Sequence, residues 1–190
     1  MLASMKTLLH SNSRVEVIRL PELFYVPEKK TELHTFAVGS RKVKKYVLQQ
    51  EMKIPLFFSV ARTKSGRIFG FGGKEIESKK ITNKCFELEL FTNNPLGITT
   101  KFVSCMWERR SRASICSNSE FIFIIGGSND AIALNSCESY DFVNDRFSPL
   151  PPLCYERENA AVCLLDERYI YMFGGYTNTK ATDKVEVLDL

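Results

Sequence analysis

The 190-residue chain reads as all-β, built from small four-stranded antiparallel sheets that lean face to face around an axis. Three observations lead there. Apolar runs end on paired glycines three times, at RIFGFGG, FIFIIGG and YIYMFGG; the pairs recur at similar spacing; and no stretch between them carries a helical apolar stripe. Gly72-Gly73, Gly126-Gly127 and Gly174-Gly175 are 54 and 48 residues apart, a period that fits one small sheet per repeat. Runs as apolar as FIFII and YIYMF need cover on both faces. Without helices, the neighbouring sheets must supply it, which is the β-propeller arrangement.

Each element follows from its local pattern. In residues 1–54, TELHTFAV and KKYVLQQ are candidate outer strands of a preceding blade, while residues 1–25 carry no clear pattern. The blades occupy residues 55–190. In the first, PLFFSVA, the turn RTKSG and RIFGF form a hairpin; CFELEL follows, then an enlarged connection through FTNNPLGITTKFVSCMW to Trp107. The second runs SRASIC, SNSE, FIFII, then CESYDF, the turn VNDR and RFSPL. The third runs NAAVCLL, DER, YIYMF and VEVLDL, and it is truncated by one strand at Leu190. Thirteen residues beyond the second glycine stand Tyr140 and Leu188, each in a β-prone run; seven beyond Tyr140 stands Phe147. That aromatic pair suits two antiparallel strands whose rings meet in one core. The paired glycines fit strand ends near a central axis, where backbones crowd and the chain turns away.

Composition narrows the function classes. A net charge of +4 with interspersed signs gives little support to nucleic-acid binding, and no segment is long and apolar enough for a signal peptide or membrane-spanning helix. Cys85, Cys105, Cys116, Cys137, Cys154 and Cys163 are scattered without a CxxC pair. They are expected to fill apolar positions in a reducing compartment, which with the absence of an N-x-S/T acceptor predicts a cytoplasmic chain. The only histidines, His10 and His34, lie before the repeats, so no metal or cofactor site is expected. Nucleotide-binding, zinc-protease and serine-hydrolase motifs are missing. GFGGKE reads as a strand end and turn, not a phosphate cradle, and no catalytic residue is assigned.

The pattern resembles the kelch repeat. Ile124–Gly127, Tyr140, Phe147 in the place of the usual tryptophan, the SPLPPL turn and Arg157 match one full repeat, closed by MFGG at Met172–Gly175. Arg109 keeps the seventeen-residue distance to Gly126 that Arg157 keeps to Gly174. Pro55 stands where the first unit should have its arginine. The resemblance implies a partial kelch-type propeller of about three to four blades, fewer than the usual four to eight, so missing blades or self-association would complete the ring. It also implies a protein-interaction module rather than an enzyme, with blade-connecting loops as the contact surface. The candidates are Thr92–Ser104; Ser128, Asn129, Asp130 and Asn135 in SNDAIALNS; and Tyr176 and Asn178 in YTNTKATD. The alternatives are a fragment of a galactose-oxidase-like propeller enzyme, or a purely structural blade array. RKVKK and the Arg109, Arg110, Arg112 group read first as a solvated strand and as packing between blades.

Overall fold

The computed structural model describes residues 22–25, 32–37, 41–48, 54–91 and 96–190; residues 1–21, with His10, lie outside them. All the described regular structure is β. The first blade comprises β4 (Ser59–Arg62), β5 (Ile68–Phe71), β6 (Cys85–Phe91) and β7 (Gly97–Val103). The second comprises β8 (Ser114–Ser117), β9 (Phe121–Ile125), β10 (Cys137–Asp141) and β11 (Arg146–Leu150). The third has β12 (Ala161–Leu165), β13 (Tyr169–Phe173) and β14 (Val185–Asp189). Within each blade every neighbouring pair is antiparallel.

The strands foreseen at TELHTFAV and KKYVLQQ are β2 (Glu32–Ala37) and β3 (Lys42–Leu48), preceded by β1 (Glu22–Tyr25). They belong to no separate blade. β1, β2 and β3 form a meander that joins the outer edge of the first blade through a short parallel pairing of β3 with β7. The RKVKK segment enters β3 with exposed side chains, as a solvated strand should.

Alternation along each strand decides which blade it touches. Phe69 and Phe71 of the first blade meet Ile122, Ile124, Tyr140 and Phe147 of the second in one buried cluster. Tyr140 pairs across the strands with Phe147, their rings stacked at 4.7 Å, and sets its edge against Phe69 and Phe71. The Tyr140 hydroxyl donates to Asp145 Oδ1 at 2.8 Å. Phe123, Ile125 and Cys137 face the other way and pack against Ile170 and Met172 of the third blade. Buried on both sides, FIFII behaves as its composition requires.

The repeat register is exact where the sequence is not. Leu88, Tyr140 and Leu188 each pair with the isoleucine five residues before the second glycine: Ile68, Ile122 and Ile170. Leu88 sits later in sequence because the first blade's loop is longer. Its bridge joins Lys74 to Ile81, whereas the later blades join Ser128 to Ala133 and Tyr176 to Ala181.

Candidate interaction surface

Each blade junction is built from backbone. The second glycine of one blade donates its N–H to the carbonyl of the residue that opens the next: Gly73 to Arg110 O at 2.8 Å, and Gly127 to Arg157 O at 2.9 Å. The opening residue returns its own N–H, Arg110 to Thr82 O at 3.3 Å and Arg157 to Leu134 O at 3.0 Å. Gly126 (φ +59°) and Gly127 (φ +100°) sit inside this contact; a Cβ on Gly126 would lie 2.5 Å from Arg157 O. That is why these positions are glycine.

The arginine side chains hold the other side of the junction. Arg110 Nη1 donates to Gly126 O and Ser136 O, and its Nη2 meets Glu138 Oε1 at 2.7 Å. Arg157 repeats the pattern on Gly174 O, Lys184 O and Glu186. The glutamates also accept from backbone, Glu138 from Trp107 N–H at 2.8 Å and Glu186 from Cys154 N–H at 2.6 Å. Each arginine therefore docks its backbone on the preceding blade and its guanidinium on its own. Both are almost fully buried, with Nε lacking a partner.

The loops after the paired glycines gather at the same pole as the connections that lead into each new blade, because antiparallel strands return there. Asp130 Oδ1 accepts from Ile81 N–H at 3.3 Å, and Asn178 Oδ1 from Ala133 N–H at 2.6 Å. Two of the proposed contact residues are thus staples between adjacent loops. Ser128 hydrogen-bonds Glu158, Asn129 Oδ1 closes its own turn on Ala131 and Ile132, and Asn135 is exposed, its Nδ2 3.4 Å from Leu153 O. Tyr176 is exposed. So are Trp107, Ile132 and Tyr155 at the same pole. Trp107 and Tyr155 were not singled out by sequence, since only the topology brings their connections beside the loops. The Thr92–Ser104 assignment needs correction. Residues 92–95 lie outside the described residues, and Gly97–Val103 is β7, whose alternating side chains were hidden by the turn-like start of the segment.

A family model of the Kelch motif matches residues 109–153, which span the second blade's opening arginine, its paired glycines, Tyr140 and Phe147. The chain carries a kelch repeat. It is 27% identical over 122 residues to Kelch-like protein 41a of Danio rerio, an alignment that covers 64% of this chain and 19% of that protein. The solved structure of YjhT superposes with a TM-score of 0.65 at 13% identity, covering 84% of this chain and 50% of that one, a likeness of fold. The chain thus spans less than a fifth of its curated relative.

Within the kelch repeat, the arginine of the second blade is corrected by one position. Arg109 is exposed; its neighbour Arg110 occupies the place of Arg157. The β8–β9 hairpin is one residue shorter than β12–β13, since Ser117 pairs with Ile122 where Leu164 pairs with Ile170, so equal counting from the glycines overshoots. The basic group disperses accordingly. Arg110 is buried, and Arg112 lies over the Phe57 ring and contacts Glu158.

The first kelch blade replaces the whole latch. Pro55 takes the arginine position, Phe86 the glutamate position, and Gly70 opens the space that Phe86 fills, a Cβ there falling 2.3 Å from its ring. Tyr46, Ile54 and Phe86 bury the face of this blade that looks away from the second. The expectation that cysteines fill apolar positions holds for Cys85 and Cys137, which are buried, and for Cys116, which is partly buried against the cluster between the second and third blades; Cys105, Cys154 and Cys163 are exposed, two on loops and one on β12. Among the described residues no cluster of three or more His, Cys, Asp or Glu is placed to hold a metal.

Proposed function

We propose that the chain is a protein-binding module, without catalysis of its own, that recognises a partner through the pole where its loops converge. The observation that carries this reading is the set of exposed Trp107, Ile132, Tyr155 and Tyr176 side chains on connections anchored by the buried arginine latches. Aromatic anchors on rigid supports are favoured in interfaces because they bury large area at low entropic cost. Among the polar loop residues around them, Asn135 is exposed and supplies adaptable hydrogen bonding, while Asn129 and Asn178 hold the shape of the loops.

The test compares proteins captured by the natural chain with those captured by Trp107→Ala/Tyr176→Ala, after circular dichroism confirms that the variant keeps its β-structure. Specific partners lost by the folded variant are the expected result. Partners retained in full would move recognition to another surface.

A further inference from the structure

Three of the chain's seven prolines fall within four residues, at Pro149, Pro151 and Pro152. With Arg146 they make the run RFSPLPP, in which the arginine, the first proline and the last stand three residues apart. The run begins as β11, the outer edge of the second blade, which pairs with β10 on one side only. A proline there has a structural use, since Pro149 has no N–H to offer a further strand. That use explains neither the arginine nor the two prolines that follow β11.

Burial along the segment has a period of three. Phe147 is buried between the first and second blades, while Leu150 and Leu153 pack between the second and third. Arg146, Pro149 and Pro152 are all exposed, and so is Pro151. Three residues per turn is the repeat of the polyproline II helix. The prolines hold the backbone close to that form: each fixes its own φ, and Ser148, Leu150 and Pro151 are kept extended because a proline follows them. Both ends of the segment are tied, by the β10 ladder and by Leu153 N–H donating to Asn135 O at 2.8 Å. The Arg146 guanidinium has no hydrogen bond or ion pair among the described residues. Asp141, opposite it on β10, is occupied by its own turn, accepting from the Val143 and Asn144 N–H groups and from Asn144 Nδ2.

We propose that this outer edge is a ligand for a polyproline-binding domain of the SH3 type, with Arg146, Pro149 and Pro152 as its contacts. Such domains take R-x-x-P-x-x-P segments into a groove of aromatic side chains, where two ridges of the polyproline II helix meet the groove and the third faces away. A carboxylate at one end of the groove pairs with the arginine. Here the ridge that faces away is Phe147, Leu150 and Leu153, the set that anchors the segment in its own protein. One segment therefore serves the core and the partner without conflict. Because the ridge is already ordered, docking spends little on conformational entropy. The surface lies outside the set Trp107, Ile132, Tyr155 and Tyr176, and its use does not depend on that set.

The test begins with a panel of purified SH3 domains that read R-x-x-P-x-x-P. Those that bind a free peptide of residues 144–154 by fluorescence anisotropy are titrated into the folded chain. Binding by the folded chain is expected, and Arg146→Glu and Pro149→Ala/Pro152→Ala, each shown by circular dichroism to keep its β-structure, are expected to weaken it by about tenfold or more. Trp107→Ala/Tyr176→Ala is expected to bind these domains as the natural chain does. A peptide that no domain in the panel binds overturns the proposal. So does a folded chain that ignores domains its own peptide binds, which would leave the prolines as edge protection alone. Binding that survives Arg146→Glu, or that is lost in Trp107→Ala/Tyr176→Ala, places the contact elsewhere and overturns it equally.

Discussion

Arg110 is the residue on which one junction turns, and its energetics are those of a buried ion pair with every oxygen engaged. Removing the guanidinium leaves Glu138 buried beside two carbonyls that have lost their donor, so Arg110→Met is expected to cost about 3–5 kcal/mol in urea unfolding. The first blade shows the escape, because Pro55 and Phe86 dispense with both charges together. Arg110→Met with Glu138→Leu should recover most of the loss, and Arg109→Ala should stay within about 0.5 kcal/mol of the natural chain. A double variant no better than the single would place the energy in the carbonyl contacts instead. The glycines differ by context in the same way. Gly126 faces Arg157 O at 2.5 Å, while the nearest obstacle to a Cβ on Gly174 is Thr182 O at 3.2 Å. Both have positive φ, so Gly174→Ala should cost about 1–2 kcal/mol for backbone strain, and Gly126→Ala distinctly more by the same denaturation assay.

The strands were legible wherever apolar runs met turn residues, and the glycine period gave the blades. Tyr140 and Phe147 could be paired across a hairpin from spacing alone because VNDR is short enough to fix the register. What escaped the sequence was a matter of single residues and of topology. A hairpin shortened by one residue hid Arg110 behind Arg109, and the turn-like start at Asn93, Asn94 and Pro95 hid β7 inside an apparent loop. No local pattern could say that Asp130 and Asn178 cap another loop's amides. The β5 entry supplies a pH test of such contacts between elements. Arg67 bonds both Glu87 oxygens, at 2.6 and 2.8 Å, and reaches Phe142 O of the second blade at 2.8 Å. The hydrogen bond from Arg67 holds the Glu87 carboxyl below its ordinary value of 4.5, against the opposing effect of burial. A carboxyl depressed in the folded state stabilises above that ordinary value and loses the contribution as pH falls through the folded value. Thermal melting should therefore fall on acidification below about pH 4.5, and Glu87→Gln should shrink that acid-side loss relative to the natural chain. An unchanged acid limb would show that solvent screening at the half-exposed Arg67 removes the effect.

In a stack of blades each unit draws stability from its neighbours, so position along the chain sets how easily a blade opens. The second blade is packed on both faces, by the first through Phe69 and Phe71 and by the third through Ile170 and Met172. The third touches one neighbour and has three strands. The thiols report this gradient without added probes. Burial pushes the Cys85 thiol up to about 12, where it is both unreachable and unionised, and it raises Cys116 to about 12 and Cys137 in the same direction. Cys105, Cys154 and Cys163 are exposed. In native buffer these three should label first, Cys116 more slowly, and Cys85 and Cys137 only with unfolding, since the thiolate is the reactive form. Amide exchange should follow the same order, with β13 losing protection before β9 although YIYMF and FIFII are equally apolar. The difference between two such similar strands isolates cover by a second neighbouring blade as its cause. Equal protection of β9 and β13 would mean that single strands, not blade contacts, carry the stability of this fold.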